Sequence, residues 1–157
     1  MRVSVITISD RAFRGEYEDL SGPEIQSLVS ERFPDAEVSR EIVEDEAESI
    51  VSAFQRHSEA DYILTTGGTG ISPRDLTPET TRSYCDRALP GISETLRAQS
   101  LRETPFAMLS RGFAGVKGRT IVVNFPGSVK AARLCTRVLL PIMEHGIEML
   151  RGRDHEG

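Results

Sequence analysis

The segment Thr65-Thr-Gly-Gly-Thr-Gly-Ile-Ser-Pro-Arg-Asp-Leu-Thr-Pro-Glu79 joins a predicted strand to a predicted helix. Just before it, residues 61–65 form a short run of β-branched and apolar side chains, which is typical of a buried strand. Near its end, Thr77 followed by Pro78 predicts a helix start with a hydroxyl cap and a proline in the first turn.

Three glycines, Gly67, Gly68 and Gly70, lie within this segment. They permit positive φ and let backbone N–H groups converge, and such amides close to a helix N-terminus favour a phosphate or another anion. The alternative is a tight turn that binds nothing. We favour a ligand site because hydroxyl, guanidinium and carboxylate groups follow in the same segment, on Thr69, Ser72, Arg74 and Asp75.

Composition sets the broad class of protein. The chain of 157 residues has room for one domain, 1–157, with a substantial core. Its 38% hydrophobic and 27% charged residues exclude a disordered chain, and its apolar runs are too short to cross a bilayer. The net charge of −5 argues against general nucleic-acid binding, although a small anion responds to the local field instead. The N-terminus enters a predicted strand without a signal-peptide pattern, so we expect a cytoplasmic location.

The cysteines and histidines do not have metal-ligand spacing. Cys85 and Cys135 stand alone and are predicted to be buried, reduced thiols. His57 and His145 are predicted to be ordinary helix residues, and His155 falls in a polar tail.

Hydrophobic periodicity predicts strands and helices that alternate along most of the chain. The predicted strands are residues 2–8, 36–44, 61–65 and 119–124, with 105–109 extended. The predicted helices are residues 23–33, 46–57, 78–87, 92–103 and a final helix from 129 that Pro141 kinks or splits. The predicted irregular segments are the loops at 11–22 and 112–118 and the polar tail at 151–157.

This alternation predicts an α/β fold, with three layers α/β/α and a mostly parallel central sheet. Ligands of such sheets bind at the carboxyl ends of the strands. Four segments fall at those ends, and we expect them to form one site: Ser9-Asp10, Asp45, residues 67–75 and residues 124–128.

Asp45 has two compatible interpretations. With Glu48 three residues later it has the spacing of a capping box, which would make it the cap of the next helix. It also follows a predicted strand, so its side chain would project toward the same rim as the glycines.

Two common phosphate loops do not account for the glycines, because a Walker A loop needs Gly-Lys-Ser/Thr and a dinucleotide loop needs Gly-x-Gly-x-x-Gly. Gly67-Gly-Thr-Gly70 instead resembles the signature of the molybdopterin-binding proteins of molybdenum cofactor biosynthesis. The resemblance is closest to the molybdopterin adenylyltransferases, including the G domain of gephyrin-type proteins. Further segments match in the family's order: Ser9-Asp-Arg11, Tyr17-Glu-Asp-Leu-Ser-Gly-Pro23, Asp45-Glu46, Thr104-Pro-Phe-Ala-Met-Leu-Ser-Arg111 and Asn124-Phe-Pro-Gly127.

The resemblance implies a molybdopterin-binding fold, a homotrimer and contacts with other cofactor synthesis proteins. It also implies transfer of AMP from ATP to the terminal phosphate of molybdopterin, with Mg²⁺ present and pyrophosphate released. Asp45 and Asp75 are the implied catalytic residues and suitable Mg²⁺ ligands, since carboxylates hold such ions. Glu44 stands where the family usually has proline, a departure that would change the stiffness or charge of this segment.

The expected substrate-binding residues supply amides, hydroxyls and other polar groups along the rim. They are Ser9, Asp10, Gly67, Gly68, Thr69, Gly70, Ser110, Asn124, Pro126, Gly127 and Ser128. Asn124 either bonds the pterin or caps a turn. Arg74 and Lys130 either add positive charge to the site or are solvated surface groups.

Two alternatives to the enzyme stay open. A carrier that binds molybdopterin without chemistry would need the glycine segment but not both carboxylates. A related domain could instead serve another nucleotide or protein contacts. The presence of both Asp45 and Asp75 favours the enzyme.

Overall fold

The computed structural model describes residues 1–152, which form six strands and seven α-helices. The strands are β1 (Arg2–Ile8), β2 (Glu37–Val43), β3 (Tyr62–Thr66), β4 (Arg87–Ala88), β5 (Ala114–Lys117) and β6 (Thr120–Phe125). The helices are α1 (Asp10–Phe13), α2 (Ser21–Arg32), α3 (Ala47–Arg56), α4 (Thr77–Tyr84), α5 (Pro90–Leu101), α6 (Val129–Leu139) and α7 (Met143–Leu150). Short 3-10 helices cover Pro105–Leu109 and Leu140–Ile142. Most of the predicted polar tail, with His155, lies outside the described residues.

The strands form one sheet in the order β2-β1-β3-β6-β5-β4. The first four are parallel, and β5 and β4 add an antiparallel edge. The predicted mostly parallel sheet is therefore confirmed. Since β1 pairs with β2 on one side and with β3 on the other, the chain reverses its direction of winding at β1, which is where such sheets bind ligands.

The apolar side chains of the central strands alternate between two faces. Val3 and Val5 of β1 enter a core shared with α2, α5, α6 and α7. Ile6 and Ile8 of the same strand enter a second core, which is shared with α3. Both faces are thus covered, as expected for parallel strands that are apolar along most of their length.

Two hydrogen bonds make the segment 11–22 more ordered than the predicted loop. The Ser9 hydroxyl accepts a bond from the Ala12 amide at 3.2 Å and caps the short helix α1. The Asp19 carboxylate accepts a bond from the Gly22 amide at 3.0 Å, which stabilises the first turn of α2. As a result, α2 begins at Ser21 and not at the predicted Pro23.

The antiparallel edge of the sheet was not expected from the sequence. Residues 112–118, predicted as a loop, contain β5, and the predicted helix 78–87 ends at Tyr84 before β4. Gly115 allows the close pairing, because a Cβ there would lie 2.7 Å from the Arg87 carbonyl oxygen.

Proline shapes two later segments in different ways. Pro105 opens a 3-10 helix, and the Thr104 hydroxyl caps it by accepting a bond from the Phe106 amide at 3.3 Å. The extended conformation predicted for residues 105–109 is therefore wrong. The break predicted at Pro141 is confirmed, since a 3-10 turn separates α6 from α7 there.

The remaining predictions concern thiols, histidines and membranes. Cys135 is buried and Cys85 partly buried, both are free thiols, and burial raises the pKa of each to about 11. His57 contacts Glu41 at 2.7 Å. Within residues 1–152, every helix is too short or too polar to span a membrane.

Candidate functional site

The carboxyl ends of four parallel strands meet at one rim of the sheet. Ser9 and Asp10 follow β1, Asp45 lies two residues after β2, and the glycine loop, defined here as residues 67–75, follows β3. Residues 126–128 follow β6 beside this loop: a Cβ on Gly127 would lie 3.3 Å from the Gly67 Cα. The structure thus brings the rim segments together as the topology predicts.

The glycine loop is bent by two consecutive residues with positive φ, Gly67 at 103° and Gly68 at 69°. A side chain on Gly67 would collide with the Ile8 carbonyl oxygen, and one on Gly68 would collide with the Thr77 hydroxyl. Thr77 fastens this bend, because its hydroxyl donates to the Gly67 carbonyl at 3.1 Å and its amide to the Gly68 carbonyl at 3.2 Å. The predicted hydroxyl cap of α4 is therefore wrong, and Thr77 instead holds the loop against the helix.

The bend leaves several backbone amides available. Among residues 1–152, the N–H groups of Gly68, Thr69, Gly70 and Ile71 have no hydrogen-bond acceptor. The loop packs at Gly67 against Gly127, one residue before the N-cap Ser128 of α6, whose first turn also contains backbone amides. Consecutive free amides of this kind favour an anion such as a phosphate group.

Asp10 is the fixed carboxylate of the rim. Its Oδ1 accepts a hydrogen bond from the Asp45 amide at 2.9 Å, and its Oδ2 pairs with the Arg74 guanidinium at 2.6 Å. The bond from the Asp45 amide and the charge of Arg74 lower the pKa of Asp10 and keep it ionised.

Asp45 is the unsatisfied carboxylate. Its Oδ1 is buried and has no hydrogen-bond partner within residues 1–152, and no side chain caps α3. The predicted capping box is therefore wrong. Burial, followed by the charges of Asp75 and Asp10, raises the pKa of Asp45 to about 6. A cation bound beside such a carboxylate would stabilise its ionised form.

Asp75 lies on the same loop and is held locally. Its Oδ2 accepts a hydrogen bond from the Ser72 amide at 2.9 Å, and a Cβ on Gly70 would lie 2.9 Å from this oxygen. A Cβ on Gly68 would lie 3.2 Å from the unpartnered Oδ1 of Asp45. The two carboxylates therefore flank the same short stretch of loop backbone.

These residues fit a Mg²⁺ site in which the protein supplies only some of the ligands of the ion. Within residues 1–152 there is no group of three or more His, Cys, Asp or Glu side chains that could hold a metal alone. Mg²⁺ is commonly held by one or two carboxylates together with substrate phosphates and water. The orphaned Asp45 oxygen, with Asp75 nearby, matches that donor set.

A cavity of about 190 Å³ lies beside the carboxyl end of β6, between α5, α6 and the 3-10 helix 105–109. Leu96, Phe106 and Pro126 supply apolar walls, and Arg97, Ser110 and Ser128 supply polar groups. This combination of apolar walls and a few polar groups is typical of sites for small organic molecules. The predicted site residues thus divide between this cavity and the acidic rim, with Gly127 and Gly67 joining the two parts.

Asn124 contributes to the cavity wall, but its side-chain amide is occupied by the protein. Its Oδ1 accepts a bond from the Phe113 amide at 3.1 Å, and its Nδ2 donates to the hydroxyls of Thr65 and Thr81 at 3.0 Å each. It is only 3% exposed. We therefore assign Asn124 a structural role, in which it joins β6 to β3, to α4 and to the residue before β5.

Two arginines of the site were not singled out from the sequence. Arg97 lines the cavity and donates to the Gly112 carbonyl at 2.8 Å, and the Arg111 side chain donates to two carbonyls of the glycine loop. Their partners are distant in sequence, so spacing does not reveal them, although Arg111 belongs to one of the matching segments. Lys130 pairs with Glu103 at 3.8 Å on the surface, with its side chain 75% exposed.

Comparison with known proteins agrees with this geometry. Residues 4–145 match the family model described as a probable molybdopterin binding domain. A molybdopterin adenylyltransferase of Helicobacter pylori is 38% identical over 97% of this chain and 89% of its own length. Gephyrin of Dictyostelium discoideum is 37% identical over 96% of this chain, which corresponds to 23% of gephyrin.

A solved structure gives the same result for the fold. The molybdopterin biosynthesis enzyme MoaB of Thermus thermophilus is 41% identical, with a TM-score of 0.85 over 97% of both chains. The match extends over both the acidic rim and the cavity, since both lie within residues 4–145. This chain therefore belongs to the molybdopterin-binding domain family of molybdenum cofactor biosynthesis.

Proposed function

We propose that this chain is a molybdopterin adenylyltransferase, which transfers AMP from ATP to the terminal phosphate of molybdopterin and releases pyrophosphate. The observation that carries the proposal is the buried oxygen of Asp45, next to Asp75 and to the loop amides; among residues 1–152, neither this oxygen nor those amides have a hydrogen-bond partner. A pterin carrier would not need this unsatisfied carboxylate. Relatives named molybdopterin adenylyltransferases support the assignment.

The reaction brings two polyanions together. An oxygen of the pterin phosphate attacks the α-phosphorus of ATP, and a new P–O bond forms there. The bond from this phosphorus to the bridging oxygen breaks, and pyrophosphate leaves with the electron pair. Because the attacking phosphate is already an anion, the protein does not need a strong base and acts by positioning and by offsetting charge.

Different parts of the rim would perform these tasks. The free amides between Gly68 and Ile71 would hold the pterin phosphate, while the cavity lined by Leu96 and Phe106 would receive the ring system. Asp45 and Asp75 would face the nucleotide, and they would hold Mg²⁺ together with the phosphates of ATP. Bound Mg²⁺ offsets negative charge on the nucleotide during transfer.

Arg74 has the opposite charge and lies between the acidic residues. It pairs with Asp10 and donates to the Asp45 carbonyl at 3.4 Å. We propose that it keeps Asp10 neutralised, so that Asp45 and Asp75 are the carboxylates available to the cation. The homotrimer, the cytoplasmic location and contacts with other cofactor synthesis proteins stay predictions of the sequence.

The test is pyrophosphate release by the purified chain with ATP, Mg²⁺ and molybdopterin. We expect release only when all three are present. Binding of molybdopterin without release would favour the carrier, and a failure to bind molybdopterin would favour a related domain with another ligand.

A further inference from the structure

Arg111 lies between the 3-10 helix 105–109 and β5, yet most of its hydrogen bonds go to the glycine loop. Its own amide donates to the Thr69 carbonyl at 2.9 Å. Its Nε donates to the Gly70 carbonyl and a terminal nitrogen to the Asp75 carbonyl, each at 2.8 Å. One residue therefore holds three carbonyl groups of a loop that is 36 to 42 positions away in the sequence.

These bonds fix the orientation of two successive peptide groups. In a trans peptide the carbonyl and the following N–H point in opposite directions. The Thr69 carbonyl points to Arg111, so the Gly70 N–H points away from it. The Gly70 carbonyl also points to Arg111, which turns the Ile71 N–H away in the same manner. Both amides are among those that have no acceptor within the described residues 1–152.

The guanidinium itself is held from the other side. Its second terminal nitrogen pairs with Glu79 in the first turn of α4. Arginine suits this position because its planar group donates in several fixed directions, whereas lysine offers a single flexible ammonium. Glu79 is largely exposed, with its side chain 56% accessible, so this ion pair is the least buried of the Arg111 contacts.

We infer that Arg111 is the positioning residue of the phosphate site: its backbone amide orients the Gly70 N–H and its side chain orients the Ile71 N–H toward the pterin phosphate, without touching the substrate. The inference rests on the proposed function, in which this loop receives the phosphate of molybdopterin. In this inference Arg111 contributes to binding of the molybdopterin phosphate and does not contribute to binding of the pterin ring.

The experiment compares two ligands on the same preparation, molybdopterin and its dephosphorylated form, by anaerobic calorimetry. The ratio of their affinities measures how much the protein recognises the phosphate. We expect the wild type to prefer the phosphorylated ligand and Arg111→Lys to lose about tenfold of that preference, which is the effect of one hydrogen bond to a charged group. Glu79→Gln is the matched control, with a ratio within about twofold of wild type, because the bonds to the loop carbonyls stay.

A general loss of folded protein would lower the number of binding sites for both ligands equally, so the affinity ratio is measured on the protein that remains folded. If Arg111→Lys yields too little folded protein, Arg111→Gln is measured in the same way. An unchanged ratio in the variant, or a wild type without preference for the phosphate, would overturn the inference. A wild type that prefers the phosphate but releases no pyrophosphate would instead contradict the proposed function and leave the role of Arg111 intact.

Discussion

The side chain of Asp10 accepts a hydrogen bond from the backbone amide of Asp45 at 2.9 Å, so the second aspartate is positioned by the first. Asp10 is also paired with Arg74, whereas Asp45 keeps a buried oxygen that has no partner in the described part of the chain. Two neighbouring carboxylates therefore have opposite properties: the pKa of Asp10 is lowered and that of Asp45 is raised to about 6. Environments that separate titratable groups in this way are common at functional sites.

Asp45→Asn is expected to stabilise the free protein at neutral pH. The ordinary pKa of this carboxyl is 3.8 and the folded value is about 6, so the folded protein takes up a proton that the unfolded chain does not. Stability from this group is present below about pH 4 and is lost as the pH rises through about 6. Asn avoids that loss. We expect its melting temperature to exceed that of wild type by a few degrees at pH 7.5 and the difference to shrink toward pH 4.

Scanning calorimetry at several pH values, without ATP or Mg²⁺, checks this expectation. A variant that is less stable than wild type at pH 7.5 would show that Asp45 has a stabilising partner after all.

Asp45 and Asp75 are expected to act as a unit in turnover. If both hold the same Mg²⁺-nucleotide, either alanine variant removes most of the rate, and the double variant loses little more. Pyrophosphate release by the two single variants and the double variant measures this. Losses that multiply in the double variant would indicate independent roles.

Gly68→Ala is expected to disturb the loop itself. The substitution places a Cβ on a residue with φ of 69° and against the Thr77 hydroxyl, and it approaches Asp45. We expect a loss of about 1 to 3 kcal/mol in the free energy of unfolding together with weaker molybdopterin binding. Gly91→Ala is the control, since no atom of the described residues lies within 4 Å of its added methyl group. If Gly68→Ala has the stability and the molybdopterin affinity of wild type, the bend at Gly68 does not contribute to ligand binding.

Asn124→Ala tests whether this residue belongs to the core or to the ligand. The substitution removes three internal hydrogen bonds and leaves the Phe113 amide unpaired. We expect a loss of about 2 kcal/mol or more by urea unfolding, and unchanged molybdopterin affinity for the protein that remains folded. If the variant is as stable as wild type but binds molybdopterin more weakly, the Asn124 side-chain amide contacts the pterin.

The convergence of Asp10, Asp45 and the glycine loop was predictable because topology alone brings the carboxyl ends of parallel strands to one rim. Family resemblance then singled out Asp45 and Asp75. The capping box predicted from Asp45 and Glu48 does not form, for a physical reason. In a capping box the Glu48 side chain would accept a hydrogen bond from the Asp45 amide, but the Asp10 side chain accepts that bond instead. The helix also begins one residue later than predicted.

Other features depend on contacts that no local pattern contains. Residues 112–118 are predicted as a loop because their three glycines lower strand propensity, whereas in the sheet Gly115 permits the close approach of β4. The sequence leaves open whether Asn124 bonds the pterin or caps a turn, because its partners Thr65 and Thr81 lie on elements that are distant in the chain. The role inferred for Arg111 depends on the directions of the Thr69 and Gly70 carbonyl groups, which the sequence does not reveal.

Asp75→Asn provides the most direct measurement of the central claim, that a carboxylate on the glycine loop supports adenylyl transfer. An Asn oxygen retains the bond from the Ser72 amide, so the shape of the loop is kept while the negative charge is removed. Pyrophosphate release at saturating ATP and Mg²⁺ is measured beside molybdopterin affinity on the same preparation. The account predicts a fall in turnover of about a hundredfold or more, with pterin affinity nearly unchanged. Wild-type turnover in the folded Asn variant would contradict it.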